Sequence, residues 1–379
     1  MGGGSLSKRW RKGKPVAVMV MVEAVFALVN ILYKLAANDN MNPSLIVAYR
    51  FMFGAAFIGP IAFFVERKKR PKLSWKISLC GFLCGLFGGS LGQNLYLRGM
   101  VMTSATFCSA MTNLIPAITF LVGIILRIEK LAWNTVAGKA KVFGTILGIG
   151  GAMFLTLYKG PDINYWDTNI NLLTMTSTHH NPQMSSSAHS HGSYILGATL
   201  AIISCFFYAL WLITQAKASK FYPCPYSITA MMTLSASTQG LLFALCIERD
   251  WSQWHLGWDI RLLAVSVAGV LGSGVMFTWV AWCVEMKGPH FVSTFQPLML
   301  LMVAFCGSLF LEERLHMGIV IGGVLIVGGL YVVLWGKNKE AEQNSRITVV
   351  NDVEDQVCID ALSPYAGEKA QEENLEEER

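Results

Sequence analysis

Charged residues are scarce in this sequence. Lysine, arginine, aspartate and glutamate make up 14% of its 379 residues, whereas hydrophobic residues make up 53%. A soluble protein of this size could not hide such an excess of apolar side chains from water. The shortage of charge therefore excludes an ordinary soluble domain.

Motifs of catalytic centres are also lacking. The chain contains no H-E-x-x-H, no phosphate-binding loop and no paired aspartates, the patterns that place ligands or nucleophiles at a fixed spacing. The segment GGSLG (Gly88–Gly92) fits G-x-S-x-G, but a nucleophile elbow needs a strand, a turn and a histidine partner. We expect this segment to lie inside a membrane span, with no histidine inside the membrane to serve it. The sequence therefore predicts no enzyme and no cofactor.

Cysteine and histidine form no recognisable framework. Most of the nine cysteines lie in apolar runs without a regular spacing, which is typical of small apolar fillers rather than of disulfides. His179, His180, His189 and His191 lie in one polar loop. They could bind a metal, but flexible polar loops also collect histidines that bind nothing. We therefore predict no metal site.

Long apolar runs are what the sequence has in abundance. A helix needs roughly 20 residues to cross ~30 Å of hydrocarbon, and such runs form helices because lipid offers the backbone no hydrogen-bond partner. The runs lie near 15–36, 43–65, 76–97, 104–126, 139–157, 193–214, 225–247, 261–282, 288–311 and 317–335. The pattern predicts an all-α integral membrane protein with ten transmembrane helices.

Basic residues concentrate on alternate connections between these runs. Lysine and arginine gather in the N-terminal tail, in ERKKRPK (66–72), between runs four and five, between six and seven, and after run ten. Because cytosolic loops carry the excess of lysine and arginine, both termini are predicted to be cytosolic. The distribution also accounts for the net charge of +6 without a nucleic-acid partner.

Two pairs of segments in the chain resemble each other. They are VFGTILGIGGAMFLTLYKG (142–160) with VIGGVLIVGGLYVVLWGK (320–337), and ILRIEKL (125–131) with LFLEERL (309–315). Gly144 then aligns with Gly322, and Gly151 with Gly329. Glycine-rich helices can resemble each other by chance, but two matches in the same order indicate an internal repeat.

Each half of the chain contains five runs, and five is an odd number. A unit of five spans that begins in the cytosol ends outside, so its copy must begin outside. The two halves are then inverted and related by a pseudo-twofold axis in the membrane plane. This architecture is typical of secondary transporters, which open a central site alternately to each side.

Five regions follow from this pattern. They are a basic cytosolic tail (1–14), the first repeat (15–157), a polar non-cytosolic loop (158–192), the second repeat (193–335) and an acidic cytosolic tail (336–379). The last region is polar from about residue 338 and ends QEENLEEER, a composition typical of disorder.

Five strings carry a resemblance to a known family. They are YRFMFGAAFIGPIAFFVERKKRPKL (49–73), QNLYLRGM (93–100), TSATFCSAMTNLIPAITF (103–120), LYKGP (157–161) and KGPHFVSTFQPL (287–298). They resemble the plant nodulin-like EamA-type transporters of the drug/metabolite transporter superfamily. That family includes the UMAMIT amino-acid facilitators and the "walls are thin" vacuolar auxin exporter. The likeness extends over about residues 16–339, and only the tails and the histidine loop lie outside it.

The resemblance implies two EamA-type repeats and the export or facilitated transport of small organic solutes. It favours amino acids as substrates, with auxin or a related aromatic carboxylate as the alternative. A receptor or scaffold that transports nothing is the alternative of another class. The expected partners are a small solute and the lipid bilayer, in the plasma membrane rather than the vacuolar membrane. The oligomeric state, the direction of transport and the coupling ion stay open.

Polar side chains inside the spans are the candidates for a transport site, because each is costly in hydrocarbon. Glu23 lies roughly 12 Å from the cytosolic end of the first span, and Asn30 lies near the same face. Glu23 could bind a substrate amine or a proton, or it could be a neutral acid that bonds to a neighbouring helix. Relatives often carry glutamine at this position. Glu23 is the one acid well inside a run, so proton coupling is a further hypothesis.

Five more side chains extend the list of candidates. Arg50 lies roughly 10 Å from the outer end of span two. Its planar guanidinium suits a carboxylate, although the side chain could instead extend to the interface. Gln93 and Asn94 end run three. Trp279 and Trp282 in run eight could stack on an aromatic substrate or anchor the helix at the interface.

Proline interrupts runs four and nine. Asn113 precedes Pro116 in run four, and the second segment match aligns Asn113 with Pro297, which Gln296 precedes. A proline frees a backbone carbonyl, and broken helices near the midplane are where transporters place their sites. Asn113 and Gln296 are therefore the first candidates for ligand contacts, with amide hydrogen bonds between helices as the alternative.

Overall fold

Helices make up nearly all of the described structure. The computed structural model describes residues 3–39, 41–68, 70–103, 108, 111–128, 135–158, 162–163, 191–310 and 315–343. The predictions for most of the histidine loop and for the acidic tail after residue 343 lie outside these residues.

The helices are numbered here in chain order. They are α1 (Gly3–Asn38), α2 (Pro43–Val65), α3 (Trp75–Cys84, a π-helical stretch Gly85–Ser90, and Leu91–Met102), α4 (Ile115–Ile125), α5 (Val136–Leu157), α6 (His191–Phe221), α7 (Pro225–Ile247), α8 (Ile260–Val267, a π-helical stretch Ala268–Met276, and Phe277–Lys287), α9 (Pro289–Ser293 and Gln296–Phe310) and α10 (Met317–Gln343). A short 3₁₀ turn, Trp251–Trp254, lies between α7 and α8. Strands β1 (Asp162–Ile163) and β2 (Leu315–His316) form one antiparallel pair.

Seven stretches of these helices are long and apolar enough to cross a bilayer. They are Gly13–Tyr33, Pro43–Val65, Trp75–Met100, Tyr194–Phe221, Pro225–Ile247, Ile260–Lys287 and Met317–Gln343. The chain is therefore a multi-pass integral membrane protein, as the sequence predicted. The count of ten spans stays a prediction, because α4, α5 and α9 are not among these seven.

Two helices extend beyond their predicted spans. α1 is helical from Gly3, within the region predicted as a tail, and α10 continues to Gln343, although the sequence predicted disorder from about residue 338. The extension of α10 is held to the helix beside it by an ion pair of 2.9 Å between Glu340 and the buried Lys141 of α5. This tertiary contact offsets the polar composition that favoured disorder.

Helices α2 and α7 make the most extensive contact between two helices among the described residues, and they are called the central pair here. Both are 23 residues long and begin with proline, which suits the first turn because its missing N–H would have no partner there. The start of each helix lies at the end of the other, since Asn42 contacts Glu248 and Glu66 contacts Ser227. The two helices therefore run in opposite directions.

The π-helical stretches bring glycines against this central pair. A Cβ at Gly89 of α3 would lie 2.4 Å from the Cβ of Ala236 in α7, and a Cβ at Gly269 of α8 would lie 2.7 Å from the carbonyl oxygen of Arg50 in α2. Only glycine permits so close an approach. Each π-helical stretch thus packs on a central helix of the opposite half.

The repeated glycine segments form a second crossing, between α5 and α10. A Cβ at Gly144 would lie 2.7 Å from the carbonyl oxygen of Gly329, and a Cβ at Gly322 would lie 2.8 Å from that of Gly151. In the sequence alignment Gly144 corresponds to Gly322, and Gly329 corresponds to Gly151. The two contacts are therefore equivalent, with the partners exchanged. A twofold relation between the segments produces such reciprocal contacts.

A turn precedes Pro116 and Pro297 at the same distance. Turn residues Asn113 and Leu114 precede Pro116 in α4, and Thr294 and Phe295 precede Pro297 in α9. The two breaks therefore make Pro116 the counterpart of Pro297. The alignment of Asn113 with Pro297 was wrong by three residues, because it extrapolated from a match beyond the end of the helix.

Candidate functional site

A cavity lies between the two halves of the chain. It has an empty volume of ≈ 640 Å³, which includes space open to solvent. Helices α1, α2, α3, α6 and α9 and the residues around the break in α4 line it. The lining residues are Phe26, Val29, Asn30, Tyr33, Arg50, Phe87, Gly88, Gly92, Gln93, Tyr96, Thr112, Ile115, Ser204, Cys205, Tyr208, Gln296 and Met299.

Arg50 is the cation of this lining. Its side chain is 1% exposed, its Nε donates to Ser273 Oγ (2.8 Å) and its Nη1 donates to Tyr33 Oη (2.6 Å). Nη2 has no hydrogen-bond partner in the part of the chain that the structure describes. The guanidinium also lies 5.4 Å from the ring centroids of Phe51 and Phe277. It is therefore buried and held in place with one donor group left over, rather than extended to the interface.

Asn30 and Gln296 contribute amides to the same cavity. Asn30 Nδ2 donates to the carbonyl oxygen of Phe26 (2.9 Å), one turn earlier in α1. Gln296 Oε1 accepts from the hydroxyl of Tyr208 (3.3 Å). The break in α9 puts Gln296 at the first position of its second segment, where the helix starts afresh.

The remaining lining is mainly aromatic. Phe87 packs on Phe207 with ring centroids 5.6 Å apart, and Phe26, Tyr96 and Tyr208 line the cavity beside it. Gln93 also lines the cavity and is partly exposed. The site thus combines one fixed cation, several neutral hydrogen-bonding groups and aromatic surface. That combination suits a small amphipathic anion.

Glu23 lies beside the cavity rather than in its lining. It is 1% exposed, and neither carboxyl oxygen has a hydrogen-bond partner among the described residues. It lies near enough to the Tyr208 hydroxyl for the two to interact electrostatically. Arg50 does not pair with it, since the Arg50 hydrogen bonds go to Ser273 and Tyr33.

Four candidates from the sequence lie elsewhere. Asn94 is buried and donates to the carbonyl oxygen of Ser90 in the π-helical stretch of α3 (2.7 Å). Asn113 is buried at the break of α4, and it is Thr112 that reaches the cavity. Trp279 and Trp282 pack against the hydrophobic core. Asn94 and Asn113 adjoin residues that line the cavity, whereas α8, which carries both tryptophans, supplies none of the lining residues.

The two prolines meet at a second, smaller cavity. Pro116 and Pro297 line an empty volume of ≈ 230 Å³ together with Thr145, Thr294 and Ile326. This space lies against the crossing of α5 and α10. Residues at the helix breaks therefore border both cavities, since Ile115 and Gln296 line the main one.

One expectation about histidine was wrong. His290 is fully buried in the first segment of α9, with its ring centroid 4.6 Å from that of Phe120. The segment Gly88–Gly92 nevertheless lies within helical turns of α3, so it lacks the strand and turn of a nucleophile elbow.

Several lining residues had not been chosen as candidates. Tyr33, Tyr96 and Tyr208 lie in apolar runs where a tyrosine is also common at the interface. Thr112 and Ser204 can bond to their own helix backbone. Only the spacing of Tyr33 from Asn30 along α1 offered a signal, because it places the two near one face.

The cavity is chemically one-sided. Helices α2 and α7 have the same length, so each residue of α2 has a counterpart in α7. The counterpart of Arg50 is Met232. Met232 is buried, and its sulfur accepts a hydrogen bond from Trp211 Nε1 (3.2 Å). Trp211 is thus a core residue. The counterpart of Arg50 in the second half is therefore an uncharged thioether that is not among the lining residues.

Comparisons with known proteins agree on one family. The model of the EamA-like transporter family matches residues 14–157 and 195–335. One WAT1-related protein of Arabidopsis thaliana is 43% identical over 328 residues, which cover 86% of this chain and 90% of the relative. A second is 41% identical over 332 residues, with 88% and 92% covered. A solved crystal structure, 18% identical, superposes with a TM-score of 0.60 over 87% of this chain and 98% of its own, which supports the fold alone.

Proposed function

This chain belongs to the EamA-like transporter family, and we propose that it moves small amphipathic carboxylates across a membrane through the cavity around Arg50. The observation that carries this proposal is the guanidinium itself, which is buried, held by Tyr33 and Ser273, and left with Nη2 unpartnered among the described residues. A carboxylate is the group that such a planar donor recognises best.

The mechanism we propose is alternating access between two inverted repeats of five helices each. The reciprocal contacts of Gly144 with Gly329 and of Gly151 with Gly322 support it, as do the opposite directions of α2 and α7. The cavity draws its lining from both halves, so rocking one half against the other would open it first to one side and then to the other. No chemical step is required, and we propose no catalytic activity.

The lining favours an aromatic monocarboxylate, such as auxin, over an amino acid. Phe26, Phe87 and Tyr96 offer apolar and aromatic surface, while the described lining contains no carboxylate to receive a substrate ammonium group. The resemblance to amino-acid facilitators keeps amino acids as the second candidate, because the amide oxygens of Gln93 and Gln296 are able to accept from an ammonium group. Residence in the plasma membrane is likewise a proposal from the resemblance.

Exchange of three indole compounds by the purified protein in lipid vesicles tests the substrate class. Indole-3-acetate, tryptophan and tryptamine share a ring and differ in charge. We expect exchange in the order indole-3-acetate, then tryptophan, with none for tryptamine. Arg50→Gln should slow the exchange of the acid by roughly tenfold or more, as the loss of a hydrogen bond to a charged group implies.

The exposed Arg249 provides the control. Arg249→Gln removes an arginine outside the cavity and should leave exchange unchanged. Faster exchange of tryptophan than of the acid would favour amino acids. Exchange of tryptamine, or no exchange of any of the three by folded protein, would contradict the proposed substrate class.

A further inference from the structure

The two ends of the central helix pair are joined in matching ways. A glutamate directly follows each helix, Glu66 after α2 and Glu248 after α7. Glu66 and Glu248 are as far apart in the sequence as Pro43 and Pro225, the first residues of the two helices. Each glutamate reaches the start of the other helix, so the pair is tied once at each end.

The first tie is made by Glu66. Its carboxylate accepts hydrogen bonds from the backbone N–H of Tyr226 (3.1 Å), from the backbone N–H of Ser227 (2.8 Å) and from the Ser227 hydroxyl (2.6 Å). The first N–H groups of a helix have no partner within the helix, and its N-terminus favours negative charge. Glu66 is 6% exposed, so water does not replace these bonds.

The second tie is made by Glu248 and Asn42. Asn42 caps α2, since its Oδ1 accepts from the N–H of Ser44 (2.9 Å), and its Nδ2 donates to Glu248 Oε2 (2.6 Å). The other carboxylate oxygen accepts from the N–H of Asp250 (3.1 Å). Both ties are therefore charge-assisted, which makes them stronger than bonds between neutral groups.

We propose that these ties are two latches, and that only one of them opens at a time during transport. The Glu66 latch lies on the face that carries Arg67, Lys68 and Lys72, and the Glu248 latch lies on the opposite face. α2 and α7 pack along their length between the latches, so the helices separate at an end only when the bonds at that end break. Loss of one latch lowers the free energy of opening on its own face alone. This inference rests on the alternating access proposed above.

A cysteine in the cavity can report on which side it opens. Gln93→Cys, in a chain whose native cysteines are replaced by alanine, supplies one thiol in the lining. A membrane-impermeant thiol reagent is added to intact cells or to inside-out vesicles. Glu66→Ala should raise the labelling rate roughly tenfold from the Arg67 face only, the change expected from about 1.4 kcal/mol.

Asn42→Asp opens the other latch without removing the helix cap. An aspartate keeps the oxygen that accepts from Ser44, but it loses the donor to Glu248 and sets two carboxylates against each other. Labelling should then rise by a similar factor from the opposite face only. Lys68→Ala, at an exposed residue two positions after Glu66, is the control and should leave both rates unchanged.

Two results of the same labelling experiment would overturn the proposal. Latches with no role in opening would leave both rates unchanged in Glu66→Ala and Asn42→Asp, and a non-specific loosening would raise both rates on both faces. Where Glu66→Ala fails to fold, Ser227→Ala removes only the hydroxyl bond and should give a smaller rise on the same face. If the labelling rate of Ser227→Ala did not rise, the Glu66 latch would also be refuted.

Hydrogen exchange provides a second measurement, on the chain with its native cysteines. Glu66→Ala should speed exchange of the amides at 226 and 227 while those at 44 to 46 keep their rates. Labelling and exchange use no solute, so they are independent of the indole panel. If the folded protein exchanges none of the indole compounds but the labelling is face-specific, the substrate class is refuted and the latches are not. An active panel without face-specific labelling would refute the latches alone.

Discussion

Arg50 and Glu23 are both buried in neighbouring helices, yet their surroundings differ. Arg50 donates to Ser273 and Tyr33 and faces aromatic rings, which together replace much of its hydration. Glu23 has no hydrogen-bond partner among the described residues. A buried carboxylate without a partner is far more costly than a neutral acid. The proton role of Glu23 stays a prediction.

Replacement of Glu23 by glutamine tests a proton role. Glutamine keeps the size and polarity of the neutral acid and cannot release a proton. Solute exchange by Glu23→Gln should continue, and its dependence on pH should be lost, as measured by exchange in vesicles across a series of pH values. Glu285→Gln changes an exposed acid at the end of α8 and should keep the wild-type profile. An unchanged pH profile in Glu23→Gln would mean that the protein is a facilitator without proton coupling.

At the scale of helices, glycine positions decide how closely α5 and α10 approach. Gly329 faces α5, and a Cβ there would lie 2.5 Å from the backbone nitrogen of Gly148. The adjacent Gly328 faces away, since a Cβ there would meet only a Leu147 methyl carbon at 3.9 Å. Small residues at helix crossings in membranes permit backbone contact and are needed only on the contacting face.

Alanine substitutions distinguish these two faces. Gly329→Ala forces the backbones apart and should destabilise the protein by about 1–3 kcal/mol, whereas Gly328→Ala should be neutral or slightly stabilising because alanine favours the helix. Gly151→Ala, at the corresponding position of α5, should behave like Gly329→Ala. The folded fraction after heating in detergent, measured by size-exclusion chromatography, reports the effect. Equal losses for Gly328→Ala and Gly329→Ala would contradict the close crossing.

The arrangement of the whole molecule follows from its two halves. Helix α2 of the first half packs against α7 of the second half, and α5 packs against α10. In each pair the two helices run in opposite directions. The cavity lies where the halves meet, and its charge comes from one half because Arg50 corresponds to Met232 in the other. A substrate bound to Arg50 would therefore lie in one orientation within a nearly symmetric frame.

Tag accessibility in intact cells tests the orientation of the halves. Epitope tags at both termini should be protected until the cells are permeabilised, and a tag inserted in the loop 160–192 should be accessible from outside. The physical reason is the retention of lysine and arginine on the cytosolic side. A terminal tag and the loop tag on the same side of the membrane would refute five spans per half.

The amino-acid sequence by itself determined the class of protein, the positions of most helices, the repeat and the family. The repeat and the family depend on the matching strings. The class and the helix positions depend on runs of apolar residues, and lipid forces such runs into helices because it cannot bond to an open backbone. Arg50, Asn30, Gln93 and Gln296 were among its candidates for the same reason, since each is a polar group in an apolar run.

Only the tertiary structure decided which polar side chains share a cavity and which ties close the central pair. A helix surrounded by lipid and protein is apolar on nearly every side, so it has no polar stripe that reveals which face looks inward. Gln93 and Asn94 are neighbours in sequence, yet one lines the cavity and the other bonds to its own helix. Glu66 and Glu248 lie at span ends, where an acid is ordinary until the fold brings it to the start of another helix.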